Sequence, residues 1–200
     1  MGLLSRGLEV WLRQQCEAIG ELEIQLEGSA AALLQGRLEG ADLEAAGVSY
    51  ERLLIERVRL RSDPLRVRMG RLLRHRTLEL EQPFLIRGRL EFSGEGLTRA
   101  LRDPRWRELA VSLAEHLLGS GGIGAVELAE DHLVLMPDVT PEPAGPGRAS
   151  RIEAGPEGLV LRPLDGGPTA TIPLDPDLQI ERAWIENGSL LLEGAARVRP

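Results

Sequence analysis

Arginine is the residue type whose placement here could do chemistry. All 24 basic residues of the 200-residue chain are arginine. Between Arg52 and Arg107 there are 15 arginines against 7 acids, a local charge of +8, while the segments before and after carry −6 and −9. In an extended chain alternate residues share a face. Arg57, Arg59 and Arg61 therefore fall on one face of a strand, and Arg87 and Arg89 on one face of another. Arg66, Arg68, Arg71, Arg74 and Arg76 would continue the band around a basic loop. A planar guanidinium makes forked contacts to phosphate or carboxylate that an ammonium cannot. One reading is a solvated face, and internal charge pairing with the acidic flanks is another. The functional reading is contact with anionic headgroups at Arg57, Arg59, Arg61, Arg87 and Arg89, each contributing about 1 kcal/mol near a charged membrane surface. Nucleic acid is not expected, because no stacking aromatics interleave the band.

Other chemical patterns lead nowhere. Gly119-Ser120-Gly121-Gly122-Ile123-Gly124 matches a dinucleotide fingerprint literally, but it ends a helix and leads into a strand, the reverse of what pyrophosphate binding needs. Asn187-Gly188-Ser189 fits a glycosylation sequon and is better read as a hairpin turn. His75, His116 and His132 are far apart and read as solvated. Asp175, Asp177 and Glu181 are close, but loop carboxylates alone do not make a metal site. Cys16 reads as a small packing residue and can form no internal disulfide. Nothing joins a nucleophile to a base and an orienting group. No catalytic residue, metal or cofactor is expected.

The elements that must carry the arginines come from periodicity. Leu4, Leu8, Trp11, Leu12 and Ile19 recur at helical spacing, with Gly20 as the stop; the stripe suits core packing, with a membrane-surface helix as the alternative. Leu22, Ile24 and Leu26 alternate with acids as a half-buried strand. Leu33-Leu34 and Leu38 to Leu43 read as further strands around Gly36 and Gly40. Strands follow over Leu53 to Arg61, Leu65 to Met69, Leu78 to Leu80 and Phe84 to Phe92. Leu97, Ala100 and Leu101 form a short helix. Asp103-Pro104 starts another, with Asp as cap and Pro at the first position, carrying the apolar stripe Trp106, Leu109, Ala110, Leu113, Leu117 to Gly119. Val126 to Leu135 frames a hairpin. Residues 137–148 are a flexible Pro/Gly-rich loop and a candidate subdomain seam. Strands resume at Ser150 to Ala154 and Leu159 to Arg162. Ile180 to Ile185 and Leu190 to Val198 close the chain as a hairpin.

Leucine is about a fifth of the residues and aromatics only 3%, so the interior is aliphatic. It can close on itself or line an apolar pocket. The pattern predicts one α+β domain over 1–200: a long curved antiparallel sheet wrapping an N-terminal helix and a central helical pair. No apolar run reaches the ~18 residues of a membrane span, and no signal-like segment is read at the start. The expectation is a cytoplasmic protein, with peripheral attachment to the inner face of a membrane left open.

These elements, in this order, resemble the LmeA-like phospholipid-binding family. The likeness rests on Leu8-Glu9-Val10-Trp11-Leu12 leading into Leu22 to Gly28. It rests also on Gln82-Pro83-Phe84-Leu85-Ile86-Arg87-Gly88 leading into Ser93 to Leu101, and on Leu174-Asp175-Pro176-Asp177-Leu178-Gln179-Ile180-Glu181 before the final hairpin. The resemblance implies a tubular lipid-binding-like fold, phospholipid or another acyl-chain ligand as partner, and no enzymatic activity. It supplies no ligand residues. Phe84, Ile86, Leu90, Leu109, Leu113 and Leu117 are the groove candidates on our reading, and filled core is their open alternative. A protein-interaction scaffold without ligand is the competing function.

Overall fold

The computed structural model describes residues 3–69, 79–138 and 146–199. Most strand expectations hold, and the class is α+β with extensive antiparallel pairing. Helix α1 (Leu3–Gln15) is followed by β1 (Ala18–Glu27), a short α2 (Ala30–Leu34), β2 (Arg37–Leu38), β3 (Gly40–Tyr50), β4 (Leu53–Ser62), β5 (Leu65–Arg66) and β6 (Phe84–Ser93). The helical pair is α3 (Gly94–Arg102) and, after a single 3-10 turn, α4 (Arg107–Leu118). Strands β7 (Ile123–Leu128), β8 (Leu133–Pro137), β9 (Arg148–Gly155), β10 (Gly158–Pro163), β11 (Ala170–Pro173), β12 (Leu178–Glu186) and β13 (Ser189–Val198) complete the chain.

Two expectations are corrected. The first helix stops at Gln15, so Ile19 and Gly20 belong to β1, and Ile19 packs on the main core. Leu33-Leu34 is helical: Ser29 caps α2 by accepting the Ala32 N–H at 3.2 Å, and the alanine run favours the helix.

Among the described residues the strands form a curved six-stranded sheet in the order β1-β3-β4-β6-β13-β12, a five-stranded sheet β11-β10-β9-β8-β7 and a small β2-β5 ribbon. Of the span expected as a loop, Pro137 ends β8 and Arg148 begins β9, hydrogen-bonded neighbours within one sheet, and residues 139–145 lie outside the described residues. The main core draws on the six-stranded sheet (Val58, Phe92, Leu192), on α4 (Leu113, Leu117) and on the five-stranded sheet (Leu135, Ile152, Leu161). A second, smaller cluster gathers Leu4 and Leu8 of α1 with Leu38, Leu65, Val67 and Leu80. Thus α1 caps one end of the long sheet, and the helical pair with the second sheet covers the other.

A bend lies between these two covers. Gly88 of β6 is paired directly with Gly194 of β13. A Cβ on Gly88 would fall on the Arg59 carbonyl oxygen, and one on Gly194 on the Gln179 carbonyl oxygen. Beside them, β12 shifts register between Ile180 and Arg182. Side-by-side glycines next to a bulge let neighbouring backbones crowd together and curve the sheet.

Candidate functional site

Strand β6 sorts the candidates. Phe84, Ile86, Gly88, Leu90 and Phe92 face inward, while Arg87, Arg89 and Glu91 face outward, as alternation requires. On β4, Val58 and Leu60 face inward against Arg57, Arg59 and Arg61 outward. Ladder pairs place Arg59 opposite Arg89 and Arg61 opposite Arg87. The five arginines therefore do share one face. The apolar residues of the same strands lie on the other face, so the two candidate sets stand back to back.

The apolar candidates do not form one group. Leu113 and Leu117, 4% and 2% exposed, are packed inside the main core, and Leu109 and Leu90 lean on it half-buried. Phe84 joins the smaller cluster with α1. Ile86 belongs to neither cluster and lies in the strip where they meet; of that strip Leu43, Leu60 and Ile180 pack against the main core and Ile24 against the smaller one. One ladder row crosses all six strands there: Ile24, Leu43, Leu60, Gly88, Gly194 and Ile180 are successive register partners. Every one of them is half-buried. In the next row Ser62, Ile86, Ala196 and Leu178 are in register and equally half-buried. By contrast, the row at Phe92 and Leu190 is buried. Five inter-strand spacings of about 4.8 Å make the strip about 24 Å long. One leaflet of a bilayer core is about 15 Å thick, so the strip is long enough for a whole acyl chain.

The outward arginines are ion-paired, in line with the internal-pairing reading of the charge pattern. Glu27, Asp42, Glu44 and Glu193 come from outside the Arg-rich segment, while Asp63 and Glu91 lie within it. Arg61 holds Glu27 at 2.8 Å and Asp42 at 3.4 Å, and Arg87 holds Asp63 at 2.7 Å. The other three have looser partners: Arg57–Glu91 at 3.6 Å, Arg59–Glu44 at 3.9 Å and Arg89–Glu193 at 3.8 Å. Arg68 pairs with Glu79 at 2.6 Å beyond the small ribbon, and Arg66 lies within that ribbon opposite Arg37. Arg71, Arg74, Arg76, His75 and Leu78 lie outside the described residues.

One participant was not anticipated. Trp184 on β12 lies under both Arg89 and Arg182, whose guanidinium carbons are 5.0 and 4.6 Å from the ring centroid. The Asn187-Gly188 turn fixes Trp184 opposite Leu191, but only the pairing of β13 with β6 aligns Leu191 with Glu91 and brings the ring to this face. Arg57, Arg59 and Arg89 line a depression of about 280 Å³ with Glu91, Glu186 and Ser189. A neighbouring depression of about 240 Å³ shares Arg59 and Arg89.

The remaining chemical candidates keep structural roles. Gly119 adopts the left-handed conformation that ends α4, and the run after it enters β7. His116 Nε2 lies 3.0 Å from the Thr169 carbonyl oxygen, and His132 pairs with Asp131 at 2.9 Å. Hydrogen bonds from His132 and Arg151 hold the Asp131 carboxyl below the usual range. Among the described residues, no three His, Cys, Asp or Glu side chains converge as a metal site, and no helix is long and apolar enough to cross a membrane.

No curated protein and no solved structure matches the chain. The family described as LmeA-like phospholipid-binding matches residues 2–195, almost the full length. That span takes in both sheets, the bend and the half-buried strip, and the chain belongs to the LmeA-like phospholipid-binding family.

Proposed function

We propose that this protein binds phospholipid without transforming it, laying an acyl chain along the strip between its two covers. The observation that carries the reading is the six-residue ladder row from Ile24 to Ile180, apolar or glycine throughout and half-buried on every strand. Burying acyl chain is worth about 0.8 kcal/mol per methylene, so ten methylenes give roughly 8 kcal/mol before ordering costs. Such a site needs shape and few polar groups. Ile86, Leu90 and Phe84 would form the β6 wall and Leu109 the helix wall. Leu113 and Leu117 would support that wall from behind. Peripheral contact with a membrane, and transfer of lipid from it, follow if the strip opens toward the bilayer.

Native mass spectrometry of the full chain after incubation with mixed phospholipid vesicles tests this reading. The expected result is a one-lipid adduct in the wild type and its loss in Ala196→Trp, whose indole would fill the second row, with circular dichroism unchanged. No adduct in the wild type, or an undiminished one in Ala196→Trp, would reject it. That outcome would favour the scaffold alternative, which the tight packing of Leu113 and Leu117 suits.

A further inference from the structure

We infer that Arg57, Arg59 and Arg89 form a phosphate-binding site on the outer face of the six-stranded sheet, separate from the acyl strip behind it. This goes beyond the acyl-chain reading and does not depend on it.

Three observations converge. The first is register. Arg59 and Arg89 are direct ladder partners, and like charges directly opposite one another on a sheet are unfavourable. An anion between them would turn that repulsion into attraction. The second is the state of the donors. Arg61 and Arg87 hydrogen-bond their carboxylates at 2.8 and 2.7 Å. The Arg57, Arg59 and Arg89 guanidinium groups make no hydrogen bond among the described residues, and their ion pairs are 3.6 to 3.9 Å long. Charge-assisted N–H···O bonds are made at about 2.7–2.9 Å, so the forks of these three still have donors to offer. The third is space and support. The three line the depression of about 280 Å³, and Arg59 and Arg89 also face its neighbour of about 240 Å³. Arg89 is braced over Trp184.

The acids at the site set its selectivity. Glu91 accepts the Ser189 hydroxyl at 3.0 Å, and Glu186 lies at the rim. Glu44 and Glu193 pair loosely with Arg59 and Arg89 from beside it, so carboxylates offset the three arginines and the depression holds no net positive charge for a simple ion. A weakly charged anion such as chloride gains little there. A phosphate, with several oxygens and a planar fork to meet each, gains directional bonds that the long carboxylate pairs do not supply. The ligand class is a phosphate ester, either the headgroup of a phospholipid or a small soluble phosphoester.

Inorganic phosphate is the probe. Titration calorimetry and thermal melting of the full chain, against chloride at equal ionic strength, should show phosphate-specific binding and stabilisation. Arg59→Ala should weaken phosphate binding about tenfold or more, the loss of one charge-assisted contact. Without phosphate it should melt no lower than the wild type, because the Arg59–Arg89 repulsion is gone. Arg59→Lys should fall between the two, and Arg162→Ala on β10, an arginine paired with Glu153 at 2.9 Å, should bind as the wild type does. Flotation with phosphatidylglycerol and phosphatidylcholine vesicles separates the sources. Flotation on the anionic vesicles that phosphate competes away assigns a headgroup, and phosphate binding with no such competition assigns a soluble phosphoester. Phosphate acting no more strongly than chloride, or Arg162→Ala losing binding as Arg59→Ala does, would overturn the site.

Discussion

Truncating Leu117 and Ile86 in parallel should give unequal losses, and the inequality measures whether the strip is open. Leu117 on α4 is 2% exposed and enclosed by the main core. Leu117→Ala removes three carbons from a packed site and leaves a cavity, at a cost of about 3 kcal/mol. For a chain of this size each kcal/mol moves the melting midpoint by about 2–4 °C, so the drop should be about 6–12 °C. Ile86 is half-buried, in a row where neighbouring side chains are equally half-buried. Ile86→Ala forfeits part of the transfer free energy and little packing, about 1 kcal/mol or about 2–4 °C. Lipid-free protein melted by far-ultraviolet circular dichroism gives both values. Equal losses would mean that Ile86 is as enclosed as Leu117, that the row is ordinary core, and that no tail can lie there.

Three further expectations follow from other parts of the molecule. Gly88→Ala should lower stability by about 2 kcal/mol or more, because the new methyl meets the Arg59 carbonyl and lies 2.8 Å from Leu60 Cδ2; a melt as high as the wild type's would show that the bend does not need glycine. The Asp165 carboxyl is held below its usual range by hydrogen bonds from Arg148 first and from the Gly167 N–H second. Its contribution is therefore complete above the ordinary aspartate range and disappears as pH falls through the lower folded value. Asp165→Asn should be less stable than the wild type at neutral pH and equal to it in strong acid, read from melts across the acid range. Burial, and then the negative charge of Glu17, push the Cys16 thiol up. Iodoacetamide at mildly alkaline pH should modify it more slowly than free cysteine, and Glu17→Gln should speed the reaction.

The elements legible in the sequence were those with strong local signals. The Asn187-Gly188 hairpin is present with φ of 51° and 74°, both positive as its turn type requires. Asp103 caps the turn before α4 by accepting the Arg105 N–H at 2.9 Å, and the parity of Arg57 to Arg61 and of Arg87 to Arg89 is as read. The hairpin at Glu51-Arg52 is also held at positive φ, 50° and 67°, yet neither residue type announces it. Tertiary contacts stabilise it instead: the Glu17 carboxylate accepts the Arg52 N–H at 3.2 Å, and the Glu51 carbonyl accepts the Trp106 indole at 2.8 Å. Strand β11 passed unnoticed because four residues carry too little periodicity. Strand order was not legible at all. It decides that Glu27 and Asp42 reach Arg61, and that six half-buried residues from six strands line up as one row. Alternation assigned each apolar residue a face, but only the order of the strands says which of those faces is covered.

The back-to-back arrangement on β6 has a consequence for how this chain can vary. Deleting a single residue between Phe84 and Ser93 would turn the remainder of the strand over, sending guanidinium groups into the oily side and isobutyl groups into water. Both neighbouring strands pair with it, so no edge is free to absorb the slip. Insertions and deletions should therefore be tolerated in the connections and rejected in this one strand.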